Sequence, residues 1–306
     1  MRVRLAHGVL CAALAAAGCG GSATARPAAT AAQRYNGEGL RRLERGDLTG
    51  AEEMLRDALR EAELVDDLQG QAEAWNNLGA LASARGQLDQ ARAYHASALR
   101  LYGERGVRDI GEVRTRSNLG SVMLQLGDEP GATQQFEQAA ALSASLGDEA
   151  SGAMARIGLA AAALRRGAVA DARDRAEREV SGARRRGDDG AVAAALSIEA
   201  AALEAAGSAG EAQARLAEAL TIDRRREQPR AVVDDLRALA RLAEARGDRA
   251  AAASWRSRAA RSLRRMGETS QARDELRRAV SLLGGQGDEA RRLQGELDAL
   301  EATPAR

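Results

Sequence analysis

Residues 73–99 read EAWNNLGALASARGQLDQARAYHASAL. Trp75-x2-Leu78-Gly79 opens the stretch, Gly86 divides it, and Ala91-x3-His95-x2-Ala98 closes it. Trp75 and Leu78 are three apart and share one face of a helix. Gly79 has no Cβ, so a second helix can approach the first closely there. Gly86 permits a tight reversal. Ala91 and Ala98, seven apart, lie on one face of the helix that follows. The stretch therefore predicts two antiparallel helices in close contact.

The same punctuation recurs through the chain. The dividing glycine returns as Gly46, Gly86, Gly127, Gly167, Gly207, Gly247 and Gly287, at intervals of 40 or 41 residues. Five positions after it stand Ala51, Ala91, Ala132, Ala172, Ala212 and Ala252, a series broken only by Arg292. Seven positions before it stand Gly39, Gly79, Gly120, Ala160, Ala200, Ala240 and Val280. A second turn signal falls about twenty residues later, at Gly106, Gly147, Gly187 and Gly267, with Asp66-Asp67 and Glu227 to Pro229 in the other two turns. Seven helix pairs follow, with first helices over 31–45, 69–85, 109–126, 148–166, 189–206, 230–246 and 269–283. Second helices are expected over 48–63, 88–103, 130–145, 169–186, 209–225, 249–265 and 288–301. Leu236, Leu239, Ala240 and Ala243 show the apolar helical stripe, and no strand-like alternation of useful length occurs.

On these residues the chain resembles the tetratricopeptide repeat family, whose pattern is W-x2-L-G-x2-Y followed by A-x3-F on two antiparallel helices. Ala82 stands where the family has Tyr, and His95 where it has a large hydrophobe. The motif is strongest over 71–140, where the third unit reads Asn118-Leu119-Gly120, Gly127, Ala132, Phe136, Ala139. The fourth to sixth units are alanine-rich and carried by the period. The seventh places Arg292 and Glu296 at apolar positions, as a polar terminal cap would. The resemblance implies an all-α fold, a right-handed α-solenoid of about seven helix pairs over 33–302, with first helices lining a concave groove that binds peptide.

Composition supports helices and excludes several functions. Apolar residues make up 45% but aromatics 2%, so alanine and leucine supply the packing. All basic residues are arginine, and the net charge of +1 gives no general attraction to nucleic acid. The runs Arg184 to Arg186 and Arg224 to Arg226 fall near helix ends, where they favour the helix dipole. Phosphate loops, HExxH and paired cysteines are absent. No catalytic residues, metal ligands, cofactor or small-molecule substrate are expected. His95 is read as a packing residue, and the carboxylates as solvated partners of nearby arginines.

The N-terminus reads as a targeting segment. Arg2 and Arg4 precede a short apolar run, Val9 to Ala17, and then Ala16-Ala17-Gly18-Cys19. That box resembles a bacterial lipobox, which implies a signal peptide over 1–18 and a lipidated Cys19 that holds the chain to a membrane. An ordinary secretory signal with an incidental cysteine is the alternative. Residues 19–32, GGSATARPAATAA after the cysteine, hold almost no large apolar side chain and read as a flexible tether. Residues 303–306 read as a disordered tail. With Gly20 after the cysteine, the resemblance implies outer-membrane sorting at the cell envelope.

The groove candidates follow from the residue inventory. The four asparagines, Asn36, Asn76, Asn77 and Asn118, all fall in the first helices of the opening three units, two or three positions before the close-contact glycine. Asparagine is unfavourable inside helices. Longer members of the family use asparagines near this position to clamp a peptide backbone, since a carboxamide both donates and accepts. The other reading is that each amide braces a neighbouring helix. Arg114, Ser117 and Ser121 extend the polar strip; Met154, Ile157 and Ile198 form an apolar middle; Arg237, Arg241, Arg277 and Asp274 charge the far end. The functional expectation is a lipid-anchored scaffold holding a peptide segment of another envelope protein, without catalysis. A pilotin-like assembly lipoprotein and, if the N-terminus is no signal, a cytoplasmic adaptor or peptide-sensing regulator are the alternatives.

Overall fold

Several of the turns that join two helices are built from two adjacent residues with separate tasks. A glycine in the left-handed region ends one helix, as Gly127 does at φ 84°. The next residue, commonly Asp, caps the helix that follows: Asp128 accepts from the Gly131 amide and Asp248 from the Ala251 amide. Where the sequence lacks glycine, Asp66 and Glu227 take the left-handed conformation themselves, at φ 53° and 54°.

The computed structural model describes residues 29–302, apart from positions 107 and 286. The segment 1–18 expected to be a signal peptide, Cys19, the tether as far as residue 28 and the tail over 303–306 lie outside the described residues. Those residues form helices α1 (Ala31–Glu44), α2 (Leu48–Leu64), α3 (Leu68–Ala84), α4 (Leu88–Arg105), α5 (Ile110–Gln125), α6 (Glu129–Ser145) and α7 (Ala153–Arg165). They continue as α8 (Val169–Arg186), α9 (Asp189–Ala205), α10 (Ala209–Arg225), α11 (Pro229–Ala245), α12 (Arg249–Arg265), α13 (Thr269–Leu282) and α14 (Gly287–Glu301). No strand occurs among the described residues. The seven expected pairs are present, an all-α solenoid in which each helix packs on the next.

Two boundaries depart from the sequence reading. Ala31 and Ala32 belong to α1, as the helix reading over 31–45 has it and the tether reading over 19–32 does not, because Thr30 and Gln33 form a reciprocal capping box. Helix α7 starts at Ala153 instead of 148, because the Asp148 carboxylate accepts from the Ser151 amide at 3.0 Å and its hydroxyl at 2.7 Å, tying 148–152 into turns. The last helix is also rotated relative to expectation. Leu293 and Leu297 take the apolar contacts and Arg292 is exposed.

The close helix contact is the organising packing feature. A Cβ on Gly39 would lie 2.7 Å from Leu55, one on Gly79 2.5 Å from the His95 ring, and one on Gly120 2.7 Å from the Phe136 ring. Ala51, Ala91, Ala132, Ala172, Ala212 and Ala252 are all fully buried on the opposing helices. The first helices of successive units also touch: α1 with α3, α3 with α5, α5 with α7 and α7 with α9. Successive second helices make no comparable contact. Over units one to five the first helices therefore form the inner wall of the curve and the second helices the outer, and side-chain bonds continue the line of first helices: Ser197 to Asp235 joins α9 to α11, and Arg237 to Glu275 joins α11 to α13. The curve closes far enough that a Cβ on Gly46 would lie 3.8 Å from the Met266 carbonyl oxygen, bringing the first unit beside the end of the sixth.

Two buried groups carry opposite proton linkage. His95 is 0% exposed and neither ring nitrogen has a partner; burial pushes the imidazole down to about 4. Asp235 is 4% exposed, accepts from the Ser197 hydroxyl at 3.2 Å, and leaves Oδ2 unpartnered. Burial, aided by the Asp223 carboxylate, pushes it up to about 7. His95 contributes stability that is complete above its unfolded value near 6.5 and is lost as pH falls toward 4. Asp235 contributes stability that is complete below 3.8 and is lost as pH rises through 7.

Hydrogen exchange at pH 7 and pH 5 should therefore show α3 and α4 losing protection in acid while α9 and α11 gain it, each by about 1–2 kcal/mol. His95→Leu should abolish the first slope. Substituting Gly120→Ala should destabilise the third unit by about 1–3 kcal/mol, because the added Cβ would sit 2.7 Å from the buried Phe136 ring, which must shift. Urea melts with segment-resolved exchange should place that loss in α5 to α7 first, by the neighbour-only coupling of a solenoid.

Candidate functional site

The inner wall carries the polar strip expected from the sequence, and the structure pairs its members. Asn77 Nδ2 donates to Asn36 Oδ1 at 3.2 Å, from α3 to α1. Asn118 Nδ2 donates to Asn76 Oδ1 at 3.1 Å, from α5 to α3. The four asparagines thus form two rungs that tie successive first helices. The pairing leaves hydrogen-bonding capacity over. Asn36 is 5% exposed and its Nδ2 has no partner.

Asn36 is one of the residues lining a cavity of about 180 Å³, with Gln33, Glu73, Asn76, Asn77, Tyr102 and Arg114 among others. Glu73, Gly111 and Arg114 also line a second cavity of about 540 Å³, reaching to Arg108, Asp109, Ile110, Leu146 and Asp148. The two volumes make one groove across the first three units. Its floor is polar and its far lip apolar, since Ile110 and Leu146 are both exposed. Arg114 is exposed and makes no ion pair among the described residues. Burial, with Asp109 and Glu73 close by, pushes the Tyr102 hydroxyl up to about 12, so it stays protonated and able to donate.

Other sequence candidates divide between wall and core. Ser117 is buried and its hydroxyl bonds the Val113 carbonyl at 2.9 Å; the exposed Ser121 bonds the Ser117 carbonyl at 3.0 Å. Met154 is exposed on the wall, but Ile157 is buried against Val180 and Leu196 and is no groove residue. Ile198 is only partly buried. Arg237 donates to Glu275 at 2.8 Å and to Gln271 at 3.1 Å, Arg277 pairs with Glu301 at 2.7 Å and Asp274 at 3.3 Å, and Arg241 is exposed and has no ion pair among the described residues.

Sequence reading missed Glu73, Tyr102, Arg108 and Ile110, which reach the groove from turns and neighbouring helices, where no periodic signal marks them. It also took the carboxylates as solvated. Glu112, Glu179, Glu199 and Glu275 are instead buried, each against arginine: Arg116, Arg156 with Arg186, Arg215, and Arg237 with Arg256. The cause is the small alanine core, which leaves long arginines to fill space between helices. Among the described residues no group of three or more His, Cys, Asp or Glu is placed to hold a metal ion. No described helix is long and apolar enough to cross a membrane.

Residues 70–145 match the family model described as tetratricopeptide repeat, so the stretch read first in the sequence is such a repeat. No curated protein matches the chain. A Rap protein solved in complex with competence and sporulation factor shares 12% identity, with 88% of this chain and 87% of that one covered at a TM-score of 0.63. A signal-transduction ATPase with a tetratricopeptide repeat sensor, from Pyrococcus horikoshii, shares 14% over 90% of this chain and 42% of its own, at 0.57. PilW, a type IV pilus biogenesis factor, shares 16% over 76% of this chain and 93% of its own, at 0.51. These likenesses are of fold: a tetratricopeptide-like α-solenoid.

The two rungs should respond differently to truncation. Asn77→Ala removes the one partner of the buried Asn36 and should destabilise the array by about 1 kcal/mol. Asn118→Ala frees the half-exposed Asn76 to water, and the better helix propensity of alanine should make that change neutral or slightly stabilising. Paired urea melts give both numbers.

Proposed function

We propose that this tetratricopeptide-repeat solenoid is a protein-interaction scaffold at the cell envelope, held to the membrane by lipid on Cys19 and holding an extended segment of a partner protein along its inner wall. Catalysis has no part in this reading. The observation that carries it is a polar groove lined by Asn36, whose buried amide nitrogen has no partner among the described residues. A peptide carbonyl supplies the acceptor that such a donor lacks, and any backbone can do so whatever its side chains. The exposed Ile110 and Leu146 beside it offer apolar contact to alternate side chains of an extended segment. Support also comes from the Rap protein of similar fold, solved with competence and sporulation factor bound.

Anchoring by Cys19 rests on the sequence box Ala16–Cys19. One acyl chain gives marginal binding, and stable anchoring takes more than one, as a lipobox cysteine provides. From Cys19, the residues before Thr30 would span enough distance to leave the solenoid clear of the bilayer surface.

A photo-crosslinking residue at Ser121, on the inner wall, should capture one defined partner in intact cells, and the same residue at Arg178, on the outer α8, should not. Capture from Arg178 alone would refute the inner-wall reading. Cys19→Ser should move the protein from the membrane to the soluble fraction. Retention of that variant on membranes washed in high salt would refute the lipid anchor, and recovery of native protein in the cytoplasm with an intact Met1 would favour a cytoplasmic adaptor.

A further inference from the structure

The register that places asparagines on the inner wall continues to the last unit, and its chemistry changes on the way. Three positions before the close-contact residue stand Asn36 and Asn76 in the first two units, and Arg237 in the sixth. Two positions before it stand Asn77 and Asn118, and Arg278 in the seventh. Carboxamides at one end of the wall are replaced by guanidinium groups at the other.

There the wall encloses a cavity of about 350 Å³ lined by Arg237, Arg241, Arg256, Arg278, Asp274 and Glu275, with Gln271. Four cations face two carboxylates. Glu275, 3% exposed, is already held by Arg237 and Arg256 at 2.8 Å each. Arg256, 6% exposed, also reaches Glu244 at 2.6 Å. Asp274 is engaged by Arg277 at 3.3 Å. Arg241 and Arg278 are exposed and make no ion pair or hydrogen bond among the described residues; Asp234 lies within electrostatic reach of Arg241 without bonding it. The cavity thus holds a fixed ionic floor and two free guanidinium groups above it, on α11 and α13.

We propose that this cavity binds the side-chain carboxylates of an acidic segment of the partner polypeptide. A guanidinium fork matches a carboxylate with two parallel hydrogen bonds. Two such forks on neighbouring helices suit successive acidic residues better than one compact ion. The assignment rests on the inner-wall reading above and gives it a direction. The partner chain meets backbone-reading amides in units one to three and anion-reading arginines in units six and seven.

The probe is fluorescein-labelled acetyl-hexaglutamate amide, titrated by anisotropy against the purified full chain. Acetyl-hexaglutamine amide serves as the uncharged control. Arg241→Gln with Arg278→Gln should weaken hexaglutamate binding at least tenfold while circular dichroism stays unchanged, since both side chains are exposed. Arg108→Gln with Arg114→Gln, in the other groove, should leave it unchanged. Hexaglutamine should not bind. Equal binding by the Arg241/Arg278 variant, or no binding by the native chain, overturns the proposal. So does displacement of hexaglutamate by inorganic phosphate at matched charge, which would make the cavity a phosphate site. Capture from Ser121 together with failure here would retain the inner-wall reading and remove only the acidic assignment.

Discussion

The structure depends on one close approach, made in each of the first three units, between a glycine on the first helix and a larger side chain on the second. Gly39 receives Leu55, Gly79 receives His95 and Gly120 receives Phe136. With only 2% aromatic residues, the core cannot rely on large rings to fill wide gaps. It relies on backbones drawn close together, with alanines filling the second helices. The period of 40 residues, the antiparallel pairs and the inner wall all follow from that contact. Moving the contact residue by one position on a first helix would turn it away from its partner.

The same economy explains the buried charge. Small side chains on adjacent helices leave channels that no leucine occupies, and arginine stems fill them with their heads paired to buried glutamates. A pair such as Arg256 with Glu275 is weak support for stability, because desolvation offsets most of the attraction. It does fix the relative placement of α12 and α13, since either partner alone would be left buried and unpaired. The Arg256 position is that of Phe136 in the third unit, so the final units replace apolar knobs with ionic ones. That replacement gives the far end of the wall its positive character.

Most of the fold was legible in the sequence because glycine and alanine punctuation is a steric signal that repeats. Helix α7 was the exception: Asp148 and Ser151 bond each other instead of starting the helix, a local competition that periodicity does not register. The wall was legible in part. The asparagines stood out because they are costly inside a helix, and the structure shows them paired as braces with a buried amide to spare. Ile157 was misplaced because an apolar residue at helical spacing fits core and groove equally well. Glu73, Tyr102 and Ile110 were invisible, since they meet at the groove only through the stacking of three units.

The central claim is that first helices form the binding wall and second helices the supporting shell. Hydrogen exchange of the protein alone and in complex with its crosslink-identified partner segment tests it most directly. The account expects slowed exchange in α1, α3, α5, α11 and α13, with α2, α4, α8 and α10 unchanged. Slowing confined to the second helices, with the first helices untouched, would contradict it.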